Sequence, residues 1–187
     1  MKKIIVGISG ASGVILGIRL LEHLKGKVES HLVVTKCAEE MIALETGYSL
    51  SEVKALATVA YGNDDFTSLI ASGTFITDGM VIIPCSIKSL SGIVSSYNDS
   101  LLIRAADVTL KEQRRLVICI RETPFHLGHL RLMVSLAERG AIICPPIPAY
   151  YCNPQSIEEL QNHTIGKVLD LFGIGHELKV RWARVKV

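Results

Sequence analysis

The sequence predicts a doubly wound α/β fold: a parallel sheet with helices on both faces, in three αβα layers. Two observations predict it. Short β-branched runs alternate with longer amphipathic segments along the chain, which implies parallel strands joined by right-handed crossovers. The runs are also apolar on both faces, as strands are when helices cover both sides. At 187 residues, 49% hydrophobic and 20% charged, the chain fits a single domain, 1–187, with a packed core.

Residues 3–8 (KIIVGI) read as a buried strand, and 14–25 as a helix with apolar positions at helical spacing. A second strand follows at 31–35 and a second helix at 36–46. Ser49-Leu50-Ser51-Glu52 matches a capping box and starts a further short helix. Residues 60–75, rich in Gly, Asn, Asp, Ser and Thr, read as a long loop. The third strand is 80–85, with a helix start in 88–97 and another helix at 101–113. The fourth strand is 116–122, followed by a helix at 129–140 that Gly140 terminates, and the fifth strand is 141–146. Ser156-Ile157-Glu158-Glu159 opens the last helix with a second capping box, and Gly173 ends it.

A net charge of +2 with no long basic run gives no electrostatic footprint for nucleic acid. No stretch approaches the roughly 20 apolar residues of a membrane span. The apolar run after Lys2 and Lys3 stops at Gly7, too short for a signal sequence. The five cysteines, Cys37, Cys85, Cys119, Cys144 and Cys152, form no CxxC pair and read as reduced thiols. The expectation is a cytoplasmic protein.

Open parallel sheets bind ligands beyond the carboxyl ends of their strands, where strand order reverses. After the first strand stands Gly7-Ile8-Ser9-Gly10-Ala11-Ser12-Gly13, which enters a helix at once. Its glycines permit close backbone approach, and the helix N–H groups point at whatever lies in the loop. This suits a phosphate or a flavin. It is not GxGxxG, and no acidic residue closes the second strand for an NAD ribose. After the third strand comes Pro84-Cys85-Ser86-Ile87-Lys88-Ser89, where Ser86, Lys88 and Ser89 suit the polar edge of a ligand and Ser86 equally suits a helix cap.

Arg104 and Lys111 share one helix face with Asp107 nearby, the pattern of a cationic site and equally of a solvated charged face. At the fourth strand's end, Arg121 offers a planar fork and Glu122 an acid or base, or the two form a structural pair. Prolines stiffen the loop carrying Tyr150 and Tyr151, which line a pocket or simply pack. His126 and His129 have no third ligand at metal spacing, and the chain carries no HExxH or Walker motif.

The segments GISGASG, PCSIKSLSGI, RAADVTLKE, RETP and PPIPAYY–NPQS, in this order, resemble UbiX-type flavin prenyltransferases, and the likeness spans nearly the whole chain. The resemblance implies a Rossmann-like, flavodoxin-like protomer in a homododecamer. It implies FMN held by Gly10, Ala11, Ser12, Thr35, Ser86, Ile87, Lys88, Ser89 and Arg121, with Thr35 where the family usually has Ser. It implies dimethylallyl phosphate bound by Tyr151, Lys167 and Lys111, with Lys167 where many relatives have Arg. Ser12, Arg104, Lys111 and Glu122 match the remaining catalytic positions, and Trp182 matches a tryptophan near the site in some relatives.

The implied reaction joins the first carbon of dimethylallyl phosphate to N5 of reduced FMN, expels phosphate, and closes a fourth ring at C6. The product is prenylated FMN for a UbiD-type decarboxylase, in ubiquinone synthesis or in aromatic-acid decarboxylation. Arg104, Lys111, Lys167, Tyr151 and Ser12 would take up the departing phosphate. Glu122 would move the proton, and no metal is needed.

Three rivals stand beside this reading. A flavin-dependent cysteine decarboxylase needs a PxMNxxMW segment, and no methionine here is followed by Asn. An FMN-dependent decarboxylase subunit for aromatic acids or 3-octaprenyl-4-hydroxybenzoate fits the basic residues less well than a phosphate ester does. A flavin-holding subunit without chemistry has no use for Glu122, Lys111 and Tyr151 together.

Overall fold

The computed structural model describes residues 1–178, so Trp182 lies outside the described residues. The elements run β1 (Lys3–Ile8), α1 (Val14–Leu24), β2 (Glu29–Val34), α2 (Lys36–Glu45), α3 (Leu50–Leu56), β3 (Val59–Tyr61), β4 (Gly79–Cys85), α4 (Ile87–Val94), α5 (Leu101–Lys111), β5 (Arg115–Ile120), α6 (Leu127–Glu138), β6 (Ile142–Ile143) and α7 (Ile157–Leu171). Two 3-10 turns lie at Leu69–Ala71 and Tyr150–Cys152.

All strand pairs are parallel, in the order β3-β2-β1-β4-β5-β6. The chain builds outward from β1 through β2 to β3, then returns to place β4 on the other side of β1. The order therefore reverses between β1 and β4, and the loops leaving those two strands part there.

Successive residues of a strand point to opposite faces, and β1 shows what covers each. A Cβ on Gly17 of α1 would lie 2.8 Å from the Ile8 side chain and 2.5 Å from the Ile83 carbonyl oxygen, so α1 rides on the Ile8 face. A Cβ on the preceding Gly7 would lie 3.1 Å from Leu102, so α5 covers the reverse face. There Ile5, Met80, Ile82, Leu102, Ala105, Ala106, Leu116 and Ile118 form one buried cluster. These two covered faces are the doubly wound, three-layer arrangement that the apolar runs predict.

The chain packs as two compact units, Met1–Pro145 and Pro146–Val187. The first holds the whole sheet. In the second, α7 buries Ile165, Val168 and Leu169, and Phe172 just beyond it is buried too. Ser156 caps α7 by accepting the Glu159 N–H. Glu159 accepts instead from Gln155 N–H at 2.8 Å, one residue earlier than a capping box requires.

Three boundaries differ from the sequence reading. The loop expected at 60–75 contains an edge strand, β3, whose Val59 and Ala60 are exposed and which becomes a strand by pairing with His31–Val33. The strand expected at 141–146 is the two-residue β6, because Pro145 and Pro146 have no N–H to pair. The helix expected from 129 begins at Leu127 because the His126 side chain accepts the Gly128 and His129 N–H groups. Gly140 and Gly173 follow their helices with φ of 92° and 61°, the left-handed stop expected of them.

Candidate active site

The loop after β1 is fastened to the loop after β4 by one buried hydroxyl. Ser9 Oγ donates to the Pro84 carbonyl at 3.1 Å and accepts the Ser86 N–H at 2.7 Å, while Ser9 N–H also donates to Pro84 O. Ser9 is thus a structural staple between the two loops. Gly10 follows so close to α2 that a Cβ there would stand 2.4 Å from Cys37 Sγ. Only glycine lets the backbone run along that helix.

Four helices begin at this edge of the sheet. Thr35 caps α2, its Oγ1 accepting Ala38 N–H at 3.3 Å. A hydroxyl that accepts a backbone N–H keeps its own hydrogen to donate. Ser86 caps α4, accepting Ser89 N–H at 3.2 Å and donating to Ser89 Oγ at 3.1 Å, which leaves the Ser89 hydrogen for a ligand. Asn63 caps α5 from a distance, taking Leu101 N–H on its carbonyl at 2.7 Å and Leu102 N–H on its side chain at 3.1 Å. At the start of α1, Gly13 supplies no side-chain cap, and its own N–H reaches the Glu45 carboxylate at 2.8 Å. The starts of α2, α4 and α5 border one cleft, where their positive ends favour an anion or an electron-rich ring edge.

Between the loops lies a cleft of about 730 Å³. Gly10, Thr35, Ser86, Ile87, Lys88, Ser89 and Glu122, all named from the sequence, line it. Glu122 is exposed, and its carboxylate accepts the Thr123 N–H at 2.9 Å, which orients it. Ala11 and Ser12 continue the loop from Gly10 and are half-buried. Arg121 ties its N–H to the Cys85 carbonyl at 3.1 Å and leaves its side chain exposed. The cleft suits the flavin that the resemblance implies. Its volume falls within the roughly 300–1,000 Å³ of small-molecule sites, and its rim offers hydroxyl donors beside helix N-termini.

The sequence reading missed other lining residues: Lys36, Cys37 and Glu40 on α2, with Asn63, Asp99, Ser100 and Ile103. The α2 residues were within reach of sequence reasoning, since 36, 37 and 40 share the first helical turns after Thr35. Asn63 and Asp99 carried no such signal, because only tertiary packing brings their loops here.

Three expected cationic residues of the first unit, Arg104, Lys111 and Arg121, do not line this cleft. The Arg104 guanidinium donates to the Ala71 carbonyl at 3.1 Å and to Asp107 at 3.4 Å. Lys111 pairs with Glu112 in the last turn of α5, about 15 Å along the helix from its cleft end. Lys36 and Lys88 bring positive charge to the cleft, set against Glu40, Asp99 and Glu122. Tyr151 and Lys167 belong to the second unit. There the Tyr151 hydroxyl meets His163 Nε2 at 3.0 Å, and Lys167 is exposed on α7.

Comparison with known proteins bears on this site. The sequence profile of the flavoprotein family matches residues 1–170. A flavin prenyltransferase UbiX of Salmonella typhimurium is 57% identical over 186 residues, covering 97% of this chain and 98% of the relative. The crystal structure of AnUbiX in complex with FMN and dimethylallyl pyrophosphate superposes with a TM-score of 0.95 at 44% identity, covering 97% of each chain. A dodecameric FMN-dependent UbiX-like decarboxylase from Escherichia coli O157:H7 gives a TM-score of 0.94 at 46% identity, covering 96% of this chain and 98% of that one.

Proposed function

Since the chain belongs to the flavoprotein family, and within it to the UbiX-type flavin prenyltransferases, we propose that it transfers a dimethylallyl group from dimethylallyl phosphate to reduced FMN. The observation that carries this is the cleft at the strand-order reversal, with seven residues of the family pattern around one flavin-sized space. The relatives match nearly end to end, which supports treating residues 1–187 as one functional flavoprotein domain.

FMN, as the acceptor substrate, supplies the nucleophile. The residues supply its surroundings. Gly10, Ala11 and Ser12 would present backbone and hydroxyl donors to it, Thr35 and Ser89 their unspent hydroxyl hydrogens, and Ser86, Ile87 and Lys88 the wall beside them. Arg121 would reach it from the rim. Glu122 has the reach to move a proton at the ring edge, and the Thr123 N–H holds it there.

The phosphate that leaves needs fixed cations and hydroxyls, for which the proposal takes Ser12, Tyr151, Lys167, Arg104 and Lys111. Lys111 stands at the far end of its own α5, so it can serve a cleft only from another copy of the chain. A homododecamer of the kind described for the E. coli relative would supply that copy.

The product, prenylated FMN, would pass to a UbiD-type decarboxylase acting in ubiquinone synthesis or on aromatic acids. The proposed setting is the cytoplasm. No helix among the described residues is long and apolar enough to cross a membrane, and none of the five cysteines forms a disulfide. The decarboxylase reading draws on the names of solved relatives at 46% and 36% identity, whereas the relative matching at 57% over 98% of its length is named for prenyl transfer.

The test is anaerobic incubation with reduced FMN and dimethylallyl phosphate. Mass spectrometry of the released flavin should find one added five-carbon unit. Unmodified FMN with every prenyl donor tried, monophosphate or pyrophosphate, would overturn the proposal.

A further inference from the structure

We propose that Asn63 is a further flavin-binding residue: its side-chain oxygen caps α5 while its side-chain nitrogen donates to an uncharged oxygen of FMN, in the ring or the ribityl chain. This rests on the reading that FMN occupies the cleft.

Asn63 follows closely on Tyr61, the last residue of β3, at the carboxyl edge of the sheet where ligands sit. It is half-buried and lines the cleft. Both of its oxygens are turned to α5. The carbonyl takes the Leu101 N–H at 2.7 Å, and Oδ1 takes the Leu102 N–H at 3.1 Å. The ordinary cap of that helix, Ser100, makes no side-chain bond to it, so Asn63 does that work from 39 residues away.

A backbone N–H can meet only the oxygen of a side-chain amide, so the Leu102 contact fixes which way Asn63 faces. Nδ2 is left with two hydrogens to donate. The bond to Leu102 is the only one that the Asn63 side chain makes among the described residues, and Nδ2 is not sealed inside the protein. An amide whose oxygen accepts a hydrogen bond is also a stronger donor through its nitrogen. Asp99 lines the same cleft, just ahead of the Leu101 that Asn63 holds. A phosphate beside Asn63 would face that carboxylate, so the acceptor that suits the amide is an uncharged oxygen of the flavin.

The experiment measures binding of FMN, and of riboflavin, which lacks the phosphate, to the full-length protein by flavin fluorescence. Thermal unfolding of the flavin-free protein is followed alongside. Asn63→Asp keeps an oxygen for the Leu102 N–H, and a carboxylate suits a helix N-terminus, so the flavin-free variant should be at least as stable as the parent. It replaces both donor hydrogens with lone pairs. Affinity for FMN and for riboflavin should therefore each fall roughly ten-fold, the scale of one lost hydrogen bond. Asn63→Ala should weaken flavin binding similarly and lower stability as well, since it strands the Leu102 N–H. If Asn63→Asp binds both flavins as the parent does, the inference is wrong and the FMN reading stands. Loss of FMN affinity with riboflavin affinity unchanged would show only repulsion between the new charge and the phosphate, and would overturn the proposal. Loss of flavin affinity together with stability in Asn63→Asp would show a structural role and do the same. A parent protein that binds neither flavin would remove the reading of the cleft itself.

Discussion

Ser9 and Ser86 stand 77 residues apart in sequence, and the hydroxyl of the first holds the backbone N–H of the second at 2.7 Å. Ser9 is fully buried, so no water can replace it. Ser9→Ala should leave the Ser86 N–H unpaired and cost about 1–3 kcal/mol of stability, read from urea unfolding. FMN affinity, followed by flavin fluorescence, should fall with it, because Ser86 opens the loop that lines the cleft. A variant as stable as the parent would show that the two loops hold their places without the staple.

A side chain at Gly17 has no room. Its Cβ would lie 2.5 Å from the Ile83 carbonyl oxygen and 2.8 Å from the Ile8 side chain, and the carbonyl belongs to a strand that cannot give. Gly17→Ala should lower stability by about 1–3 kcal/mol despite alanine's better helix propensity. Gly47→Ala, with nothing within 4 Å of the new carbon, should stay within about 0.5 kcal/mol of the parent. Thermal unfolding of the two variants side by side checks the contrast.

What the sequence made legible was local. The Ser49–Glu52 capping box, with Ser49 N–H on the Glu52 carboxylate at 2.7 Å, needs four residues to recognise. So do the glycine-rich loop after β1 and the hydroxyl at Ser86, which lie at strand ends where the topology opens a crevice, whereas Thr35 was named only through the family resemblance. Features made by pairing or packing were not legible. β3 is exposed and gains its strand character from β2. Asn63 reaches α5 across nearly 40 residues of sequence. Arg104 and Lys111 illustrate the limit of helical spacing: seven residues apart says that two cations share a face, but not which end of the sheet either one serves.

His31 gives the protein a predictable response to acid. Its side chain is buried between the Tyr61 and Phe75 rings, with Tyr61 Oη at 2.9 Å and Glu29 at 3.1 Å. Burial lowers its pKa from 6.5 and outweighs the raising effect of Glu29. Below the ordinary histidine range the unfolded chain takes up a proton that folded His31 refuses, so the unfolded state binds more protons and stability falls as pH falls. Stability from this group is complete above the unfolded value and is lost as pH drops through the folded one. Urea midpoints compared between about pH 7 and about pH 5 should fall less for His31→Phe than for the parent. Parallel declines would assign the acid sensitivity to other groups.

The position of Lys111 leads to a test by complementation. It pairs with Glu112 at the end of α5 remote from the cleft, whereas Glu122 lines the cleft of its own protomer. If both serve one reaction, each site combines Glu122 of one copy with Lys111 of another. Lys111→Ala and Glu122→Gln homo-oligomers should each retain FMN and lose about 100-fold or more in prenyl transfer, the scale for removing one transition-state charge or proton-transfer group. Co-assembly of the two variants in equal amounts should then restore about a quarter of the parent's rate, because random pairing in a symmetric assembly gives that share of sites both intact residues. Separately purified oligomers mixed without subunit exchange should restore nothing. A co-assembled sample that merely averages the two defective rates would show that both residues act from one copy of the chain, and a Lys111→Ala oligomer with the parent's rate would place Lys111 outside the reaction, leaving the phosphate to Ser12, Arg104, Tyr151 and Lys167.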